Sequence, residues 1–167
     1  MAMNYVCTCC GQTHEGMPDL AFDRPAYAND VPDNERGKRV QLNSDLCVVD
    51  DEYYFVRGVI EVPIHGQDEK LGIGAWVSQK FENFNVYSEN FDTPEIGPFF
   101  GWLSNDFVFG GERTLSLKAM AHFRGQGLRP RIELEPTAHP LAIAQRDGIT
   151  LDEAWSFVHE TRGDAAT

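Results

Sequence analysis

Two runs of strict alternation, from Tyr54 to Val62 and from Leu71 to Val77, set the strongest limit on how this chain folds. In the first, Tyr54, Val56, Gly58, Ile60 and Val62 alternate with Phe55, Arg57, Val59 and Glu61; in the second, Leu71, Ile73, Ala75 and Val77 share one face. A period of two puts successive side chains on opposite faces of an extended strand. The segment between the runs, Ile64-His65-Gly66-Gln67-Asp68-Glu69, is short and turn-like. Two strands so joined pair most simply as an antiparallel hairpin.

A second hairpin follows the same logic. Leu115, Leu117, Ala119, Ala121 and Phe123 alternate with polar or exposed-type residues, Gly125-Gln126-Gly127 supplies a turn, and Ile132 and Leu134 alternate with charges on the return strand. Leu46 to Val49 is a further short apolar run. Phe99-Phe100-Gly101-Trp102-Leu103 reads as a buried strand or a tight aromatic corner. Between the hairpins, Phe81, Phe84 and Tyr87 recur every third residue, the spacing of a short amphipathic helix. Asp33-Asn34-Glu35-Arg36-Gly37-Lys38-Arg39 reads as one short exposed helix on a solvated surface segment.

The end of the chain is helical. Pro140 suits a first helical turn and Gly148 an exit. Thr150 and Glu153 have the spacing of a capping box, and Leu151, Ala154, Trp155 and Val158 form an apolar stripe behind it. These pieces predict an α+β fold: an antiparallel sheet built of hairpins, C-terminal helices on one face, and a metal knuckle at the N-terminus. A chain of 167 residues is long enough for one domain with a real core. The expected organisation is a single domain over 1–162, with a knuckle in 1–14, mainly strands in 46–135, helices in 139–161 and a frayed tail in 163–167.

Charge narrows the function classes. Twenty-six acidic residues stand against fourteen basic ones, a formal net charge of -12. Such a field repels phosphate backbones and anionic lipid, so nucleic acid and membrane surfaces are not expected partners. No apolar stretch is long enough to span a bilayer. Met1-Ala2-Met3-Asn4-Tyr5 has neither a basic start nor an apolar run, so a cytoplasmic location with reduced thiols is expected.

Cys7-Thr8-Cys9-Cys10-Gly11 carries the most specific chemistry. Two cysteines separated by two residues and followed by glycine form half of a zinc knuckle: a tight turn brings both sulfurs to one point, and glycine lets the chain curl beneath the metal. A structural zinc needs four ligands. Cys7 and Cys10 supply two, His14 is placed to fold back as a third, and Cys47 is the expected fourth, with His139 in reserve. Structural zinc supplies on the order of ten kcal/mol to folding. A free-thiol reading and a thioredoxin-like redox reading compete with zinc; the latter wants a helix after the second cysteine, and a polar turn follows Cys10 instead.

Other candidates are less specific. His139 precedes a helix start and suits a metal ligand, a general base or, more simply, a helix cap. Arg129-Pro130-Arg131, with Arg124 and Arg113, forms a basic patch that suits a bound carboxylate or phosphate, or ion pairs with neighbouring acids. Trp76 and Trp102, beside Phe99 and Phe100, suit a pocket wall or the core. The candidate ligand pocket is thus Trp76, Trp102, Arg129 and His139. Glycine-rich phosphate loops, a G-x-S-x-G elbow and H-E-x-x-H are all absent from the sequence.

Taken together, Cys7-x-x-Cys10-Gly11-x-x-His14-x-Gly16-x-Pro18, Ser44-Asp45-Leu46-Cys47-Val48-Val49, Gly74-x-Trp76-Val77-Ser78, Phe100-Gly101-Trp102-Leu103, Arg129-Pro130 and His139-Pro140-Leu141-Ala142 resemble the bacterial family catalogued as domain of unknown function 2199. The resemblance covers nearly the whole chain and implies a bacterial, soluble, single-domain protein; it implies no activity. The expected role is a small acidic binding module with a structural zinc, its partner a basic protein or a small anionic ligand held near the arginines. The alternatives are a metal-dependent hydrolase with an open zinc site, and a thiol redox protein. No residue is assigned a catalytic role.

Overall fold

The structure is a computed structural model that describes residues 4–6, 13–17, 19–90 and 96–162, with side chains from Gly16 onward. In chain order the strands are β1 (Asn4–Val6), β2 (Thr13–Glu15), β3 (Leu20–Ala21), β4 (Val40–Leu42), β5 (Leu46–Val49), β6 (Tyr53–Pro63), β7 (Lys70–Gln79), β8 (Phe99–Trp102), β9 (Val108–Phe109), β10 (Glu112–Arg113), β11 (Lys118–His122) and β12 (Arg131–Leu134). The helices are α1 (Ala26–Asn29), α2 (Asp33–Arg39), α3 (Phe81–Glu89), α4 (Pro140–Asp147) and α5 (Leu151–Arg162).

The long hairpin is β6 with β7, in a register that sets Val56 against Val77, Ile60 against Ile73 and Val62 against Leu71. Both of its faces are covered. On one, Ile60, Val62, Leu71, Ile73 and Val77 pack with Leu141 of α4 and Ala154, Trp155 and Val158 of α5. Val56, on the same face, packs with Phe84 and Tyr87 of α3. On the other face, Phe55 and Trp76 form a smaller cluster with Cys47, Val49, Ala28 and Val31.

The sheet is mixed, which corrects the antiparallel expectation. Its order is β3-β7-β6-β12-β11-β8, with β5 also on β6 and β4 on β5. β12 runs parallel to β6, and β3 runs parallel to β7. The β11–β12 hairpin is antiparallel as expected, but it docks through β12, and Gly58 makes room: a Cβ there would lie 2.7 Å from the Pro130 carbonyl and 2.8 Å from Ile132. The hairpin is also shorter than the alternation suggests. Ser116 has φ +71°, and its N–H donates to the Leu103 carbonyl, so the chain turns there and Leu115 is exposed.

The sheet curls until β8 returns to β7. A bridge joins Val77 to Leu103, and the Ser104 N–H donates to the Trp76 carbonyl at 2.8 Å. Five strands, β7-β6-β12-β11-β8, therefore form a ring closed at one point. The α4 and α5 boundaries follow their caps. The Thr150 N–H donates to the Glu153 carboxylate and the Glu153 N–H to the Thr150 hydroxyl, both at 3.1 Å. Strands β1 and β2 pair antiparallel on either side of 7–12, with Tyr5 opposite His14. The expected knuckle turn at Cys7 and Cys10, and the tail 163–167, lie outside the described residues.

Candidate functional site

Strand β8 alternates in the ordinary way, but its outward side chains are large and apolar. Gly101 and Leu103 turn inward, while Phe100 and Trp102 are each 43% exposed. Their rings meet edge to face with centroids 5.3 Å apart. Lys118, directly across from Trp102 in the β8–β11 register, places its ammonium 5.8 Å from the Trp102 ring centroid.

A second aromatic group comes from α1 and β6. Tyr27 is 46% exposed and Tyr53 37%; their ring centroids lie 4.5 Å apart, and the Phe55 ring is 6.4 Å from Tyr27. Local sequence alone would not hold so short a helix there. The Ala26 N–H donates to the Ser104 carbonyl at 2.8 Å. Asn105, which is buried, accepts from the Trp76 N–H at 2.8 Å and donates to the Arg24 carbonyl at 2.9 Å. Arg36 donates to the Ala28 carbonyl at 3.2 Å and to that of Val31 at 3.0 Å. These contacts pin α1 over β6 and beside the end of β8.

Between the two aromatic groups lies an open groove of about 560 Å³, walled by Tyr27, Tyr53, Phe55, Trp102 and Leu115, with Asp30 on its rim. A hydrogen bond to Tyr27, reinforced by the negative charge of Glu52, pushes the Tyr53 phenol up to about 12. Tyr53 therefore stays neutral through the physiological range. On the Lys118 side of Trp102 a smaller cavity of about 180 Å³ is lined by Lys118, Leu134 and Thr137.

The four expected pocket residues are not brought to one cavity. Trp102 lines the groove. Trp76 is fully buried, its indole N–H donating to the Phe22 carbonyl at 2.8 Å. Arg129 lies elsewhere, 3.1 Å from the Asp45 carboxylate. His139 caps α4: its Nδ1 accepts from the Leu141 N–H at 3.0 Å, and its Nε2 sits 2.9 Å from the Arg113 carbonyl, so the Nε2-protonated tautomer satisfies both contacts. The basic patch is largely divided among ion pairs, Arg113 with Asp106, Arg124 with Glu61 and Arg129 with Asp45.

Of the expected zinc ligands, Cys7 and Cys10 lie outside the described residues, and His14 is placed by its backbone in β2. Cys47 is fully buried in the apolar cluster beside Phe55 and Trp76, and burial pushes its thiol up to about 11. A metal ligand must be a thiolate, so this setting favours the protonated, core-like state of Cys47. Among the described residues no group of three histidine, cysteine, aspartate or glutamate side chains is gathered to hold a metal. No helix among them is long and apolar enough to cross a membrane.

Tyr27, Tyr53 and Asn105 were not legible as site residues. Tyr27 stands two residues after Pro25 in a loop-like stretch without periodicity, and Asn105 acts through partners 29 and 81 residues away.

Fold and groove together define an α+β domain with a mixed, curled sheet and an aromatic-walled surface groove. A family model described as "Uncharacterized protein conserved in bacteria (DUF2199)" matches residues 6–149, and the chain belongs to that family. No curated protein and no solved structure matches it.

Proposed function

We propose that this protein is a binding module that engages a partner through the groove between Tyr27, Tyr53 and Trp102. The observation that carries this reading is the exposure of three large rings around one groove, on elements fixed by buried hydrogen bonds. Exposed apolar patches of this kind mark interaction sites, and tyrosine and tryptophan dominate the energetics of interfaces. The net charge of -12 favours a basic partner by steering it and by repelling anionic ones.

The test compares variants rather than asking whether anything binds. A bacterial lysate is passed over immobilised protein, and a partner retained by the wild type and by Glu160→Gln is expected to be lost from Trp102→Ala at unchanged melting temperature. Equal retention by Trp102→Ala would remove the groove from the function.

The same reading includes a structural zinc in the N-terminal hairpin, held by Cys7, Cys10 and His14 in the reducing bacterial cytoplasm. Its support is the strand pairing: β1 and β2 bracket the segment that contains both cysteines, and His14 sits in β2 opposite Tyr5. Protein purified without added zinc is expected to carry about one zinc per chain by mass spectrometry, and Cys7→Ser with Cys10→Ser to carry none. A wild-type content near zero ends the zinc reading. For the fourth ligand, retention of zinc by Cys47→Ser would exclude Cys47 and point to a group other than His139, whose two ring nitrogens are already engaged.

A further inference from the structure

Resting on the groove as the binding site, we infer that its occupant is an arginine side chain presented by a basic partner segment. Four observations on this surface agree in sign. The walls are π faces, which attract cations placed over them. Asp30 lines the groove, and its carboxylate makes no ion pair with a described residue, whereas nearby Asp50 is held by Arg39 at 2.7 Å. Glu52, which makes no ion pair with a described residue, sets a negative charge beside Tyr53 at that wall. Finally, Lys118 already sets a cation over Trp102, but it lines the smaller cavity and not the groove, which leaves the groove without a cation of its own among its lining residues.

Arginine fits these walls better than lysine. Its planar guanidinium is weakly hydrated, stacks on aromatic rings and can fork onto a carboxylate, while an ammonium is a compact, strongly hydrated charge. The protein makes the same pairing elsewhere on this sheet, where the guanidinium of half-buried Arg57 lies 5.6 Å from the centre of the Trp76 ring. In the groove, the arginine stacks against the aromatic walls and pairs with Asp30, and the net charge of -12 draws the basic segment in.

Trp102 offers a direct readout, because Trp76 and Trp155 are buried and Trp102 is exposed. Full-length protein is titrated with an acetylated, amidated Gly-Arg-Gly-Arg-Gly peptide and with its lysine and citrulline counterparts, followed by tryptophan fluorescence and calorimetry. The arginine peptide is expected to bind tightest and the citrulline peptide weakest. Asp30→Asn and Trp102→Ala should each weaken the arginine peptide by about threefold to thirtyfold, with Trp102→Phe between them and the wild type. Glu160→Gln makes the same charge change on α5 and should leave binding unchanged.

Citrulline binding as tightly as arginine would overturn the inference, since the groove would then select a neutral shape. Equal weakening by Glu160→Gln and Asp30→Asn would also overturn it, since only the overall charge would matter. If no peptide perturbs Trp102 while a lysate partner still depends on Trp102, the arginine assignment falls and the binding module stands. If both readouts are blind to Trp102, both fall.

Discussion

Replacing Gly101 by valine is expected to break the sheet where its ring closes. A Cβ at Gly101 would lie 2.0 Å from the Ser78 carbonyl oxygen, 2.3 Å from a Val77 methyl and 2.8 Å from the Gln79 amide nitrogen. The first of these is backbone, which cannot rotate away. Nor can β8 step back, because the Trp102 N–H donates to the Ser78 hydroxyl at 3.0 Å and the Leu103 N–H to the Leu117 carbonyl at 2.7 Å. Overpacking of this kind costs about 3 kcal/mol or more, which in a chain of this size lowers the melting temperature by about 10 °C. Gly101→Ala should show most of the effect. Gly37 is the control: nothing lies within 4 Å of a Cβ there, and it sits in α2, so Gly37→Ala should be neutral or raise stability by up to about 1 kcal/mol. Thermal melts of the three variants decide the matter, and a Gly101→Ala melt equal to wild type would mean that β8 does not run against β7.

Asn105→Leu is expected to be nearly as damaging, by a different route. The Asn105 side chain joins β7 to the segment leading into α1, with one acceptor bond from the Trp76 N–H and one donor bond to the Arg24 carbonyl. Leucine has a similar volume, so packing changes little, but it leaves two backbone groups without partners. Each buried orphan costs about 1–3 kcal/mol, so a loss of about 3 kcal/mol is expected in urea unfolding at unchanged m value. The variant should also lose partner binding beyond its loss of stability, because Tyr27 follows Arg24 by three residues and depends on that anchor. A cost below about 0.5 kcal/mol, the range of ordinary surface substitutions, would show that the hydrogen bonds do not form in solution.

What the sequence made legible depended on the range of the forces involved. The β6–β7 hairpin, α3 and the C-terminal capping box are written in local patterns of period two, in spacings of three, and in an S/T-x-x-E/Q-type pair, so they were readable residue by residue. Neighbour relations between strands are not local. Alternation in β12 says that Ile132 faces a core, but the placement of β12 beside β6 rests on the missing side chain at Gly58, which leaves space for Pro130 and Ile132. Of the two readings for 99–103, the structure has a strand, with Phe100 and Trp102 exposed instead of buried. Trp102 was identifiable as a candidate from its cluster of rings. Tyr27 was not, because its place is fixed by Asn105 and Ser104, far along the chain. His139 was readable as a helix-entry residue, and the structure shows why it has no nitrogen to spare.

The return of β8 onto β7 also governs how copies of this protein meet one another. An unpaired strand flank invites backbone-to-backbone addition of a neighbouring chain. Here the outer flank of β7 is occupied twice over, by β3 at Ile73 and Gly74 and by Leu103 at Val77. The strands left at the margin beyond β7 and β5 are the two-residue β3 and the three-residue β4, too short to template growth. Along these two margins of the main sheet, backbone addition by a neighbouring copy is discouraged, and encounters there fall to side chains rather than to the peptide backbone.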